Sequence, residues 1–449
     1  MYCNQATRLQ RTGIGSIQGK AITMQPSRRS LLSRFGVTAT ALAGVVASRP
    51  LEAFAQAVSD APKSSIPSDL KITEVKCGYI RGGSRLFVKV HTNQGIWGCG
   101  EAVDAVGGTY HLVKSFGRRL QGQSPLNPHR LFEDIRRSGV FGGAQSGMYV
   151  AVLTAVETAL WDLAGKALGL PVYQLLGGKF RDKIRVYVDT ALYQARLPDP
   201  AKFAEAALEA KQMGFTAVKF DLDQANDPAR YDRYNWTASP GELQRMVDQM
   251  SAAREAVGPT MDVCADMHGR YDLPTALAVA KAMEPLKLMW LEEPIPAENV
   301  EAYRLIAQET STPICAGENI YLAHGFRKLL EIGGSDIIMP DLQKAGGLGE
   351  AQRIANLANL YYVPFAPHMV ASYLGAMAAC HVCASVPNFM ILEWQIYYHK
   401  DPMFKEIVSF DGPMVENGFI TLSQKPGIGV EINEEGMRKY AVEGVPFFA

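Results

Sequence analysis

From Ile184 onward the chain repeats one pattern: a short apolar run, then a longer stretch with apolar residues at helical spacing. The runs are Arg185–Asp189, Ala217–Asp221, Met261–Asp266, Leu288–Glu292, Ile314–Glu318, Asp336–Asp341, Val363–His368 and Met390–Glu393. Apolar runs this short suit strands buried on both faces, and their alternation with helices predicts a parallel α/β barrel. Tyr373–Ser385 fills the last interval with a helix, and the long interval after Asp221 carries an insertion near Asn226–Gly241. Upstream, Ile72–Val75, Leu86–Val90 and Ile96–Trp97, with a turn at Thr92–Gly95, read as an antiparallel meander. Helical spacing over Tyr149–Leu168 ends at Gly169. The predicted organisation is an α+β part over 71–184, a barrel over 185–394 and a tail over 395–449. The end of that tail, Phe410–Ala449, is too short to fold alone and is expected to pack on the N-terminal part.

The first residues follow another rule. Ser27-Arg28-Arg29-Ser30-Leu31-Leu32 precedes an apolar stretch from Phe35 to Ala47, and Ala53-Phe54-Ala55-Gln56-Ala57 offers small-residue cleavage sites. This resembles a twin-arginine export signal over residues 1–57, with Met24 as an alternative start and 58–70 as a tether. An amphipathic helix or a mitochondrial transit peptide are the other readings, and the continuous apolar block argues against the latter. Export implies a periplasmic protein; a non-functional signal would leave it in the cytoplasm. Across 449 residues, Lys+Arg 45 balance Asp+Glu 45. Arg8, Arg11, Lys20, Arg28, Arg29, Arg34 and Arg49 all lie in the leader, so the remainder is net acidic. That excludes an ordinary nucleic-acid binder. No apolar run reaches the roughly 18 residues of a membrane span, so no membrane partner is expected beyond export. The seven cysteines form no visible disulfide framework, and Cys380-His381-Val382-Cys383 lacks the second ligand pair of a zinc site.

The chemistry sits at the strand ends. Asp266, Glu292 and Glu318 follow one another at intervals of 26 residues, and Asp341, His368 and Glu393 come after them at similar spacing. One strand-plus-helix unit has about that length, so all six converge at one barrel mouth. Three converging carboxylates repel unless a cation sits among them, and oxygen-only ligands suit a hard ion such as Mg²⁺. His368 is then a candidate base, with Asp341 holding its other ring nitrogen. Glu393, on the next strand, is a candidate hydrogen-bond partner for charge developing on a substrate, or else a buried structural carboxylate. Lys219 ends the second strand two residues before Asp221, as an electrostatic group or an interior ion pair with Asp221 or Asp189.

The motifs Ala265-Asp266-Met267-His268-Gly269-Arg270, Trp290-Leu291-Glu292-Glu293-Pro294, Ala316-Gly317-Glu318-Asn319, Met339-Pro340-Asp341-Leu342-Gln343-Lys344, Ala366-Pro367-His368 and Leu392-Glu393-Trp394 occur in this order. With Trp161–Lys166 and Pro426–Glu431, they resemble the enolase superfamily, in its mandelate racemase-like branch, from about residue 70 to the end. The resemblance implies a modified (β/α)8-type barrel under an α+β capping domain, Mg²⁺ on Asp266, Glu292 and Glu318, and a homo-oligomer. It also implies proton abstraction alpha to a carboxylate, for which the superfamily pairs a Lys or His base with Mg²⁺. Glu293 is implied to be a neighbour of the ligands and not one of them.

Racemases of that branch carry Lys-x-Lys where this chain has Lys219-Phe220-Asp221, which argues against a Lys–His pair of bases. Asp266-Met267-His268-Gly269-Arg270 is similar instead to acid-sugar dehydratases, galactonate and gluconate dehydratases among them, and implies His268 as the acid that protonates a departing hydroxyl. The expected substrate is a sugar acid, and the product a 2-keto-3-deoxy acid. Racemisation, epimerisation or cycloisomerisation, and a catalytically silent sugar-acid binding protein, are the alternatives. Gly-rich loops at Arg81–Arg85 and Phe141–Gln145 are candidates for reading the substrate.

Overall fold

The computed structural model describes residues 69–80, 85–105, 107–190, 192, 199–224, 227–232 and 234–449. Residues 1–57, expected to be an export signal, nearly all of the expected tether and residues 81–84 of the first Gly-rich loop lie outside them. β1 (Ile72–Ile80), β2 (Arg85–Thr92) and β3 (Trp97–Ala102) form the antiparallel meander, with Cys77 opposite Val88 and Val88 opposite Gly100. Three helices cover one face: α1 (Tyr110–Leu120), α2 (Pro128–Ser138) and α3 (Gly147–Leu168). Gly98 and Gly100 let β3 lie directly on α3, because a Cβ on either would run into the Ala159 or Ala155 carbonyl oxygen.

α3 also corrects an expectation. Thr154, Glu157, Thr158 and Asp162 interrupt its apolar run, yet as a whole it is long and apolar enough to cross a membrane. It is the core helix of the capping domain, and most of it is buried inside the protein.

The barrel strands are β4 (Lys183–Asp189), β5 (Ala217–Asp221), β6 (Asp262–Asp266), β7 (Trp290–Glu292), β8 (Ile314–Ala316), β9 (Ile337–Ile338) and β10 (Leu392–Gln395). They pair in parallel in the order β10-β4-β5-β6-β7-β8-β9. Val363–His368 stands where an eighth strand was predicted but makes only isolated bridges, through Phe365 to Ile338 and Phe389 and through His368 to Asp341. Pro364 and Pro367 explain this, since each removes one ladder donor. The Phe365 and Ala366 amides still bond to Asn388 and Ile338, so the segment closes the ring.

Between the strands run α4 (Pro200–Gln212), α5 (Pro240–Val257), α6 (Leu273–Met283), α7 (Val300–Glu309), α8 (Leu322–Glu331), α9 (Leu348–Leu360) and α10 (Tyr373–Ser385). Asp199, Ser239 and Asp272 cap the first three of these, each followed by proline in the first turn. The tail returns as expected: the Val442 and Phe448 amides bond to Tyr79 and Cys77 of β1. On the way, Phe419–Thr421 adds an antiparallel edge to β4.

Two buried carboxylates fasten the capping domain to barrel helices. α9 begins at Gly347, which has no side chain to cap it. Glu157 of α3 supplies the acceptor instead, taking the Leu348 and Gly349 amides at 2.8 and 2.9 Å and the Trp161 indole at 2.6 Å. Burial pushes the Glu157 carboxyl up to about 7 against these bonds. Glu101 of β3 does the same for α10, accepting from the Ser372 amide and hydroxyl and the Gly375 amide. Arg85 bonds to the Val370 carbonyl at 2.7 Å and lies 3.7 Å from Glu101. It therefore joins the capping domain to the barrel. Truncating Glu157 to Ala leaves two helix-terminal amides and an indole without their acceptor. That is expected to cost about 2–3 kcal/mol, seen as a lower urea midpoint with unchanged slope. An unmoved midpoint would remove Glu157 from the anchoring role.

Candidate active site

Each strand end delivers its ionisable group to the same mouth. Asp266 ends β6 and Glu292 ends β7, paired across the ladder, and Glu318 follows β8 by two residues. Their ligand oxygens lie within 4.8 Å of one another, and all three residues are buried. This donor set of three carboxylates fits a hard divalent cation held at close range. Trp290 donates its indole to Glu292 at 3.0 Å. Asn319 donates one amide to both Glu318 and Glu293, at 2.9 and 2.8 Å. Glu293 lies in left-handed backbone and also accepts the Gly317 amide. Burial and the nearby Glu318 charge push its carboxyl up to about 7.

Lys219 of β5 does not pair with Asp221 or Asp189. Its ammonium sits 3.0 Å from Asp266, 3.1 Å from Glu292 and 3.1 Å from Glu393. Burial opposes its charge, but Glu292 and Glu393 outweigh burial and hold the amine well above its ordinary value. Glu393 is equally committed: it accepts from the Met369 amide at 3.0 Å and from Gln395 at 2.8 Å as well as facing Lys219. This wiring fixes Glu393 as a buried carboxylate between Lys219 and the His368 segment.

Two histidines flank the trio. His368 Nδ1 stands 2.7 Å from Asp341, which is itself fixed by the Gln343 amide. Its Nε2 lies 3.0 Å from Glu318 and 3.4 Å from Glu393. Burial disfavours charge on this ring, yet Glu393 and Glu318 hold it well above its ordinary value, and Glu318 is held correspondingly low. His268 reaches the mouth by an unpredicted route. β6 stops at Asp266, and a left-handed residue at 268 turns the ring inward while its amide bonds back to Asp266 at 2.8 Å. Nδ1 lies 2.7 Å from Asp223, and Nε2 lies 3.7 Å from Asp266 and 3.9 Å from Asp221. Against burial, Asp266, Asp223 and Asp221 hold this imidazole well above its usual value. The His268 side chain is 31% exposed, whereas Asp266 and Glu292 are sealed, so the histidine is the accessible member.

Over the mouth lies a cavity of about 840 Å³. The capping domain lines it with Arg136, Gln145 and Ser146, and the barrel with His268, Glu293, Asn319, Tyr321 and His324. Gln145 belongs to the second predicted substrate loop. Arg136, Tyr321 and His324 were not singled out, because lining a cavity leaves no mark in sequence spacing. Asp223 was missed too, although its place two residues past a strand end was a usable signal. The Cys380–Cys383 motif holds no second site: both cysteines are buried, and His381 spends its nitrogens on the Tyr173 amide and the Ile428 carbonyl.

Comparison with known proteins follows the same division. Residues 57–177 match the mandelate racemase / muconate lactonizing enzyme N-terminal domain, and residues 202–436 match the enolase C-terminal domain-like family. D-xylonate dehydratase of Haloferax volcanii is 36% identical, covering 85% of this chain and 91% of its own. D-galactonate dehydratase of Variovorax paradoxus is 34% identical, covering 78% and 89%. A mandelate racemase/muconate lactonizing enzyme-like protein from Rubrobacter xylanophilus superposes with TM-score 0.81 at 42% identity, over 85% of this chain and all of that one. The 3,6-anhydro-D-galactonate cycloisomerase of Zobellia galactanivorans gives TM-score 0.73 at 27% identity, over 83% and 100%. With both of its domains matched and its strand-end carboxylates in place, the chain is an enzyme of the enolase superfamily.

Proposed function

We propose that this protein is a Mg²⁺-dependent hydro-lyase that dehydrates a sugar acid to a 2-keto-3-deoxy acid. One observation carries the reading: two histidines, each oriented by its own carboxylate, stand at opposite ends of the Asp266–Glu292–Glu318 trio. The dehydratase names of relatives matched over 91% and 89% of their own length support it.

Asp266, Glu292 and Glu318 would hold the Mg²⁺. Bound there, the ion would supply the positive charge that stabilises a substrate carboxylate as its alpha proton is lost. The remaining work falls to the protein. His368, steered by Asp341, accepts the alpha proton at Nε2. As it stands, Glu393 and Glu318 keep the ring charged, so it gives up that proton before it accepts the alpha proton. His268, steered by Asp223, carries a proton on Nε2 and gives it to the departing beta-hydroxyl. The carbon–oxygen bond breaks, water leaves, and the enol tautomerises to the ketone. Lys219 balances the buried carboxylates from below and touches no substrate. A one-sided reaction of this kind does not require a second base at position 221.

Cycloisomerisation or racemisation is the second reading, favoured by the superposition with a cycloisomerase. It would use His268 as a proton donor to carbon, and water would stay in the product. A purely binding role leaves the Asp341–His368 pair without purpose.

D-xylonate and D-galactonate with Mg²⁺ in deuterium oxide separate the steps. His368→Asn is expected to stop both alpha-proton exchange and keto-acid formation. His268→Asn is expected to slow keto-acid formation about 10²–10⁴-fold while exchange continues. Full-rate dehydration by that variant would reject His268 as the acid. Lys219→Met gives an independent check on the charge balance. In EDTA it is expected to lose about 3 kcal/mol, because the carboxylates it paired stay buried without compensation. Saturating Mg²⁺ is expected to restore most of the loss, and equal melting with and without the ion would contradict the assigned cation site.

A further inference from the structure

Asp221 is the polar group that the mechanism leaves over. It ends β5 beside Asp266, with which it pairs across the ladder. The residue is completely buried, and among the described residues neither of its carboxylate oxygens has a hydrogen-bond partner. Such an orphan is costly to bury, and a ligand group that supplies the missing bond recovers that cost. Its surroundings indicate what that ligand is. His268 Nε2 stands 3.9 Å from Asp221 Oδ1, too far for a hydrogen bond and close enough for both to reach one intervening oxygen. Lys219, two residues earlier on the same side of the strand, has turned to Asp266, Glu292 and Glu393.

Resting on the dehydratase reading, we infer that Asp221 and His268 together form the subsite for the hydroxyl that is expelled. The hydroxyl oxygen accepts from His268 Nε2–H, and its own hydrogen bonds to a carboxylate oxygen of Asp221. On bond cleavage the Nε2 proton passes to that oxygen, the carbon–oxygen electron pair leaves with it, and the resulting water keeps its original hydrogen on Asp221. This makes Asp221 a substrate-contacting residue whose ligand is the C3 hydroxyl of an aldonate. A substrate without a hydroxyl there cannot satisfy the buried oxygens. A hydrogen bond of this kind also fixes which lone pair of the leaving oxygen faces the acid.

The test is a cycle between side chain and ligand hydroxyl, run in the His368→Asn protein with Mg²⁺ so that nothing turns over. Calorimetry compares D-xylonate with its 3-deoxy analogue. The analogue is expected to bind at least about 30-fold more weakly, and adding Asp221→Leu is expected to shrink that ratio about tenfold. Asp221→Ala serves as a second variant should the leucine not fold, and the comparison of the two ligands in the parent needs no change at 221. Equal binding of both ligands by the parent overturns the subsite. A ratio left within twofold by both Asp221 variants removes Asp221 from it while leaving the dehydratase reading intact. Absence of binding by D-xylonate, D-galactonate and every other aldonate tried overturns that reading and this subsite with it. Titration with Mn²⁺, followed by electron paramagnetic resonance, is expected to show one ion per chain. A second ion that vanishes in Asp221→Ala would make the orphan a metal ligand and overturn the hydroxyl assignment.

Discussion

Buried negative charge governs this molecule. Asp221, Asp266, Glu292, Asp341 and Glu393 are sealed from solvent and Glu318 nearly so, all at one end of one barrel. Carboxylates do not gather in a low-dielectric interior without compensation. Here it comes from three sources. Lys219 spans three of them, His368 bridges Asp341 and Glu318, and His268 stands between Asp223 and Asp266. A divalent cation among Asp266, Glu292 and Glu318 would complete the balance, and it explains why so unfavourable a cluster is worth building. The same electrostatics differentiate the groups. Glu318, beside an imidazole, is held low, while Glu292, dominated by burial and by Asp266, is held well above its ordinary value.

The capping domain solves a different problem with similar parts. A lid over a barrel must be held firmly yet leave the mouth open. Glu101 and Glu157 achieve this by reaching from the cap onto the N-termini of α10 and α9, where backbone amides lack partners. These attachment points lie in the barrel wall that carries Asp341 and His368. The cavity is lined by loops after β6, β7 and β8, the last of these the strand next to β9. Docking at α9 and α10 leaves Arg136, Gln145 and Ser146 lining that cavity together with His268.

Much of this was legible because the strands announce themselves. Period and apolar content located seven of eight strand positions, and the residue ending each run fell at the mouth. Val363–His368 escaped because burial and hydrogen bonding are separate conditions. Its apolar residues are those of a strand, while Pro364 and Pro367 deny it a ladder. His268 was expected at the mouth from the resemblance, and a left-handed turn after Asp266 is what delivers it. The partners of Lys219 were not legible. Sequence places the lysine on the right strand and side, and only the relative heights of neighbouring side chains decide that it meets Asp266, Glu292 and Glu393 and not Asp221. The interior tie made by Arg85 was not legible either, because its partner, the Val370 carbonyl, lies 285 residues away in the chain.

Position 221 connects these strands of argument. In racemases of this superfamily a second lysine would stand there, bringing positive charge and a base to that wall. An aspartate removes that charge and leaves a carboxyl with a short polar reach, which burial and the neighbouring Asp189 hold well above its ordinary value. The exchange has a consequence for the neighbour: an imidazole facing Asp266 and Asp223 is stabilised in its charged form, whereas beside a second lysine it would be driven neutral. A proton donor on this wall is therefore the natural companion of Asp221, just as a proton acceptor is the natural companion of a lysine pair. One substitution on β5 thus separates a wall that returns protons to carbon from a wall that delivers them to oxygen, with the trio of carboxylates unchanged beneath either.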